Sequence, residues 1–379
     1  MPNYQLSTVI YHLLNSELLY QLALTEVPNI GWVHAKILAQ QFGSAEKIFK
    51  SKLSLLEKID GIGEVRARSI KAFTDFSKAE EEIKFIEKYK INPLFLTDKD
   101  YPKRLLNCYD SPTLLFYKGN ADLNASKVVA IIGTRNHTDY GKQQTEKLIK
   151  ELSSQNILIV SGMAFGIDAI AHKASLKNDL PTVGVLAHGL DQIYPPDHSN
   201  LAKDMLKNGG LLTEFRSNTN PDKHNFPTRN RIVAGMSDAT IVIETKEKGG
   251  SMITAELANG YNKDVFALPG RVTDHKSAGC NFLIRNNKAM LLTDAEELIE
   301  VMGWEEKQKS GVRSQRELFI ELSNDERIIV DILKEKDLIH VDELNFKSGL
   351  SSSSMAAAIL NLELQGVIST LPGKLYKLN

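Results

Sequence analysis

Between residues 128 and 294 the chain alternates short apolar runs with stretches of helical periodicity, and this constrains the fold more than any other feature. The runs are VVAIIGT (128–134), ILIVSG (157–162), TVGVLA (182–187), LLTEF (211–215), ATIVIET (239–245), VFALPG (265–270) and AMLLTD (289–294). Helical stretches lie between several of them, at Tyr140–Ser153, Asp168–Leu176 and Ser251–Tyr261. A strand with one wet face alternates apolar and polar residues, whereas these runs are almost continuously apolar, so both faces need cover. Such strands joined by helices form a parallel sheet with helices on both sides, and the expected fold class is α/β. In such a sheet, ligands bind where loops leave the carboxyl ends of the strands.

Those loops carry the candidate site. Gly133-Thr134-Arg135 follows the first run, Ser161-Gly162 and then Gly166-Ile167-Asp168 follow the second, and Gly249-Gly250-Ser251 opens a helix after ATIVIET. Small residues at strand-to-helix turns expose backbone N–H groups at the positive end of a helix, which suits a phosphate. Arg135 can add a bidentate contact. None of the turns spells a dinucleotide or Walker-type fingerprint. The stretch PDKHNFPTRNRIVAGMSDATIVIET (221–245) crowds Lys223, His224, Arg229 and Arg231 around Phe226 and Asn230. An aromatic ring among cations meets the needs of single-stranded nucleic acid, offering stacking to a base and charge to the backbone. Arg229 and Arg231 are two apart on a helix and do not share a face, so one is expected outward and one structural.

The flanks differ from this core. A break falls near residue 90, and a polar stretch, WEEKQKSGVRSQREL, lies near 304–322. The expected division is residues 1–90, 91–303, a linker at 304–322, and 323–379. Residues 1–90 repeat at an offset of 32: VPNIGWVHAKILAQQ (27–41) aligns with IDGIGEVRARSIKAF (59–73). Each copy reads as a hairpin opening an apolar-faced helix. Gly61-Ile62-Gly63 resembles a helix-hairpin-helix hairpin, whose glycines let backbone N–H groups approach a phosphate. In the first copy Trp32 would crowd a phosphate, so DNA contact and plain helical packing both stay open. At the C-terminus, ERIIVDILK, HVDELNFKSG and Ser351–Gln365 read as three helices, the last capped by the serine run. VISTLPGKLYKL then reads as two short strands around Pro372-Gly373, a wing. The third helix holds no Lys or Arg, and residues 324–379 carry a net charge of −2. Strong duplex binding by this segment is not expected, and a protein-contact or tuning role fits better.

GTRNHTDYG, SGMAFGIDAIAH, FPTRNRIVAGMSD, GGSMITAELA, VFALPG and SAGCNFLI appear in that order, and together they resemble the DNA-processing protein A (DprA/Smf) family over about residues 95–300. The resemblance implies an extended Rossmann-like sheet core between an all-α helix-hairpin-helix-like domain and a small winged-helix-like domain. It also implies a homodimer that binds single-stranded DNA, including DNA coated by single-strand-binding protein, and loads the RecA recombinase onto it during natural transformation. Carried over by motif, the DNA-contacting arginine falls on Arg135, the lysine before the FP dipeptide on Lys223 and the stacking phenylalanine on Phe226. Gly133, Thr134, Ser161, Gly162, Gly166, Arg229, Asn230, Gly250 and Ser251 complete the expected single-stranded-DNA pocket. Two positions depart from the pattern: Phe165 stands where many relatives carry Leu or Lys, and Pro196-Asp197 follows Tyr194-Pro195 where a basic residue is common.

An enzyme on the same core is the main alternative. Phosphoribohydrolases of related fold use a Pro-Gly-Gly-x-Gly-Thr turn and a following glutamate, whereas here the turn is Lys248-Gly249-Gly250-Ser251, with Glu256 further along. Asp168 and His172 are spaced i,i+4 and could mimic an acid–base couple. No catalytic residue, metal or cofactor is expected. A protein-interaction scaffold with incidental DNA contact is the other alternative. Formal charge is −1, from 46 basic and 47 acidic residues, so nucleic-acid binding must come from a local patch. The two cysteines, Cys108 and Cys280, are far apart and suit a reducing cytoplasm rather than a disulfide framework. The start of the chain lacks signal-peptide character, and no apolar run approaches the ~18 to 20 residues of a membrane span.

Overall fold

The computed structural model describes residues 16–304, 322–336, 338–365, 367–371 and 375–378. The chain falls into two compact units, divided between residues 305 and 306. Most of the expected linker, and Pro372-Gly373 of the wing, lie outside the described residues.

Among the described residues the first unit begins with helices α1 (described over 16–24), α2 (Trp32–Phe42), α3 (Ala45–Lys50), α4 (Leu53–Leu56), α5 (Gly63–Ala72) and α6 (Ser77–Tyr89). The two repeats are two hairpins, each opening a helix. Asn29 adopts φ 66° where Gly61 adopts 80°, so asparagine fills the left-handed position in the first copy. The copies differ one step later: Gly31 has φ −93° and Gly63 has φ 64°. These helices pack against the sheet domain. Lys36 Nζ donates to the carbonyls of Leu106 at 2.5 Å and Cys108 at 2.8 Å. Glu82, buried, accepts from the Ser217 amide at 3.1 Å and hydroxyl at 2.6 Å. Trp32 faces the same way, with the Arg231 guanidinium 4.0 Å over its ring.

The sheet domain runs β1 (Asn92–Phe95), α7 (Lys103–Leu106), β2 (Leu114–Gly119), β3 (Val128–Ile132), α8 (Asp139–Leu152), β4 (Leu158–Gly162), α9 (Ile167–Lys177), β5 (Thr182–Val185), α10 (Ser199–Met205), β6 (Gly209–Thr213), α11 (Asn225–Gly235), β7 (Ala239–Val242), α12 (Gly250–Gly260), β8 (Asp264–Ala267), α13 (Ala278–Arg285), β9 (Met290–Leu291) and α14 (Ala295–Val301). Strand order is β1-β2-β6-β5-β4-β3-β7-β8-β9. All seven expected strands are present, and they pair in parallel from β6 through to β9. β3, β4, β5 and β7 are buried along their whole length, the physical reason for their unbroken apolar runs. Two strands go beyond the sequence reading. β2 pairs antiparallel to β6, and β1 antiparallel to β2, extending one edge. β6 also begins at Gly209-Gly210, two residues before the expected run, and both glycines lie in the ladder.

The second unit holds α15 (Asn324–Glu335), β10 (Ile339–His340), α16 (Val341–Ser348), α17 (Ser352–Leu364), β11 (Ile368–Leu371) and β12 (Leu375–Leu378), its strands ordered β10-β12-β11. It is a winged-helix domain. The Ser351 hydroxyl accepts from the Ser354 amide at 3.2 Å, the expected cap of the third helix. Ile329, Leu333, Leu344, Leu362 and Ile368 form its core.

Candidate nucleic-acid interface

β3 is the point at which the chain reverses its direction across the sheet. From β3 it builds outward through β4 and β5 to β6, then returns to lay β7 on the other side of β3. Loops leaving the carboxyl ends of β3, β4 and β7 diverge there, and a cavity of about 710 Å³ opens between them. Gly133, Thr134, Arg135, Gly162, Lys223, Phe226, Arg229, Asn230, Gly250 and Ser251 line it. Residues from four separate stretches of sequence therefore converge on one space.

The turn after β3 is held from behind. Glu244, 1% exposed, accepts from the Thr138 amide at 2.9 Å and also binds the Thr138 hydroxyl. The Thr134 amide donates to the Glu244 carbonyl at 2.7 Å, and the Thr134 carbonyl accepts from the Ile167 amide at 3.2 Å. Arg135 thus projects from a fixed backbone. Its side chain is exposed, with the guanidinium 5.3 Å from the centre of the Phe226 ring. Arg135 and Phe226 form a cation–π pair across the cavity mouth. Lys223 is exposed just before α11, and the first turn of that helix presents Phe226.

Beneath this mouth lie two buried side chains of opposite charge. Arg229 and Asp168 are 5% and 8% exposed. Arg229 bonds the Val185 carbonyl and the Asn230 side chain. Gly162 is glycine because the pair lies directly under the end of β4: a Cβ there would sit 2.5 Å from both Asp168 Oδ2 and Arg229 Nη1. Burial pushes the Asp168 carboxyl up to about 6, with the Arg229 charge opposing the shift. Gly250 opens α12, whose first-turn amides border the cavity.

Several expectations need correction. The arginine expected to point outward does not: Arg229 and Arg231 are both buried, at 5% and 4% exposed. Arg231 bonds the Asp110 carbonyl and pairs with buried Glu214, a structural role beneath the first hairpin. Opposite helix faces here lead to two different interiors, because α11 is covered on both sides. Ser161 does not line the cavity; its hydroxyl is fully buried and donates to the Ile131 carbonyl at 2.6 Å. Gly166 does not line it either, but supports the turn that carries Arg135. The Ser251 hydroxyl is committed to Thr245 at 2.7 Å, leaving its backbone to face the cavity. Asp168 and His172 do not form a couple. His172 bonds Thr182 and the Gly162 carbonyl, each at 2.7 Å, and burial lowers its pKa to about 4. Glu256 is exposed beside Lys288 at 3.4 Å.

The cavity also holds residues that motif reading passed over. Lys246, after β7, and Lys276, before α13, add two cations; Asn136 and Thr245 add polar groups. Their signal was weak, because a lysine in a loop is ordinarily a solvated one. Among the described residues no group of three His, Cys, Asp or Glu side chains is placed to hold a metal ion. None of the described helices is long and apolar enough to cross a membrane.

Fold and site together define an α/β protein with backbone amides and cations set beside an aromatic ring at the switch point of a parallel sheet. Comparisons with known proteins narrow this class. Residues 92–303 match the family model described as DNA recombination-mediator protein A, residues 318–374 the DprA winged helix domain, and residues 18–83 a helix-hairpin-helix motif. Protein Smf of Synechocystis is 32% identical over 397 residues, covering 96% of this chain and 99% of that protein. DNA processing protein DprA of Bacillus subtilis is 42% identical over 211 residues, 55% of this chain and 71% of that protein. The X-ray structure of DNA processing protein A from Streptococcus pneumoniae superposes with a TM-score of 0.64 at 33% identity, covering 76% of this chain and 97% of that chain. A Helicobacter pylori structure, described for its single-stranded DNA binding mode, gives 0.51 at 34% identity over 56% of this chain and 95% of that chain. The chain belongs to the DNA-processing protein A (DprA/Smf) family.

Proposed function

We propose that this chain binds single-stranded DNA in the switch-point cavity and acts as a recombination mediator. It protects incoming DNA and loads the RecA recombinase onto it during natural transformation, including strands coated by single-strand-binding protein. One observation carries the reading: Arg135, Lys223 and Phe226 converge on one cavity bordered by the amino end of α12. Arg135, Lys223, Lys246 and Lys276 neutralise successive phosphates, the turn amides bind phosphate oxygens, and a base packs on Phe226. These partners occur in every nucleotide, so recognition tolerates sequence. The Helicobacter pylori relative, whose described activity is single-stranded DNA binding, supports carrying this to the present chain. We infer a cytoplasmic homodimer that mediates recombination rather than catalysing a reaction.

Loading is tested on circular single-stranded DNA coated with single-strand-binding protein, read by the ATP hydrolysis of added recombinase. The protein should shorten the lag before hydrolysis, and the Arg135→Ala/Lys223→Ala variant should not. An equal effect from both proteins would instead support a scaffold whose DNA contact is incidental.

A further inference from the structure

Next to the main cavity, on the far side of Phe226, lies a second and smaller cleft of about 40 Å³. Its walls include Phe165, Tyr194 and Pro195, and it shares Arg135, Ala164, Phe226 and Arg229 with the main cavity. Phe165 and Tyr194 are 47% and 46% exposed, unusual for large aromatic rings. The Tyr194 ring lies 6.2 Å from the Phe226 ring at 46°, and Phe165 leans edge-on against His198 at 5.0 Å. Three aromatic side chains thus border the cleft and lead away from the phosphate-binding turns.

The cleft also has an unsatisfied floor. His188 is 1% exposed. Its Nδ1 lies 2.8 Å from the Gly189 carbonyl, which can only accept, so Nδ1 carries the hydrogen. Burial lowers its pKa, so the ring is neutral and Nε2 is a bare acceptor. That atom has no donor: the Tyr194 carbonyl, a backbone group that meets the ring, is itself an acceptor and cannot satisfy a bare Nε2. A buried acceptor without a donor is costly, and a ligand N–H removes the cost.

We propose that this cleft is a second base subsite, and that it sets the preference for single strands. This rests on the reading of the main cavity as a single-stranded DNA site. The strand crosses Phe226, one base lies against Tyr194 and Phe165, and its edge reaches toward His188 Nε2. About 40 Å³ admits the edge of a base rather than the whole ring, which stays against the aromatic wall. Each of the four bases carries an N–H on its Watson–Crick edge, so the contact does not specify sequence. In a duplex those edges are paired and the base faces stacked, so a duplex can offer only its phosphates.

The test uses the full chain, a labelled single-stranded oligonucleotide, and the same oligonucleotide with a central run of abasic sugars that keeps every phosphate. Phe165→Ala/Tyr194→Ala should weaken binding to the normal strand roughly five- to hundredfold, but change binding to the abasic strand little. Tyr194→Trp should restore binding to the normal strand. Both residues are exposed, so the truncations leave the core intact, which unfolding curves confirm. Unchanged binding, or an equal loss on both strands, overturns the subsite. Failure of the underlying reading looks different: the wild type would bind neither strand, or Arg135→Ala/Lys223→Ala would bind both as the wild type does.

Discussion

The turn carrying Arg135 depends on a residue that never touches the cavity. Gly166 has φ 80° and ψ −129°, a conformation that strains any residue with a Cβ by about 1 to 3 kcal/mol. A Cβ there would also lie 2.5 Å from the Arg135 carbonyl oxygen, and closer still to that of Thr134. These neighbours are backbone, so no side chain can swing away. Overpacking of this kind adds about 1 to 3 kcal/mol. Gly166→Ala should therefore cost about 2 to 6 kcal/mol, a large part of the ~5 to 15 kcal/mol that holds a typical domain folded. Relief requires the Thr134–Arg135 backbone to withdraw, breaking its bond from the Ile167 amide and moving the guanidinium off Phe226. Urea unfolding should show a lower midpoint, and fluorescence anisotropy should show at least a tenfold weaker hold on single-stranded DNA. Gly250→Ala is the control: a Cβ there meets nothing within 4 Å, so stability should stay within about 0.5 kcal/mol of wild type. A Gly166→Ala protein that unfolds and binds as wild type would refute the argument that this glycine positions Arg135.

Three further outcomes follow from the same geometry. Asp168 has its pKa raised by burial to about 6, so its contribution to stability is full below its ordinary value near 3.8 and is lost as pH rises through about 6. A phosphate bound above it disfavours its charge further, so single-stranded DNA affinity should rise as pH falls from 7.5 to 5.5 at fixed ionic strength, and Asp168→Asn should flatten that profile. Arg231→Met breaks a buried pair with Glu214 under Trp32 and should lower stability by about 3 to 5 kcal/mol, measured by urea unfolding, while the folded protein keeps its affinity within twofold. Arg135→Ala and Phe226→Ala should be non-additive in binding by about 0.5 to 1 kcal/mol in a double-mutant cycle, because the cation covers the ring.

Much of this molecule was legible from its sequence, for identifiable reasons. β3, β4, β5 and β7 are covered on both faces, and that burial is written directly into VVAII, LIVSG, TVGV and ATIV. The winged helix was legible through its serine cap and its short strands. β1 and β2 were not read, because they pair antiparallel at the edge of the sheet, outside the series of parallel strands joined by helices. At the site, Arg135, Lys223 and Phe226 stood out as cations set around an aromatic ring and through the family motifs, and the fold brings all three to one cavity. The fates of Arg229, Arg231 and Ser161 were not legible, because each depends on what tertiary packing brings against it. Asp168 and Val185 face Arg229, Asp110 and Glu214 face Arg231, and Ile131 faces Ser161, and none of these is near in sequence. The cleft under Tyr194 was hidden for the same reason: Phe165, His188, Tyr194 and Phe226 meet only in the fold.

The central claim is that the switch-point cavity is a single-stranded DNA site. The most direct measurement is fluorescence anisotropy of a labelled single-stranded oligonucleotide across a salt series, with duplex DNA as competitor and the Arg135→Ala/Lys223→Ala variant alongside. The protein should prefer the single strand, with log affinity falling by about 0.7 per log unit of salt for each phosphate neutralised. The variant should bind weakly and show a shallower slope. Salt-independent binding, or a variant indistinguishable from wild type, would contradict the central claim and move attention to the Gly61-Ile62-Gly63 hairpin.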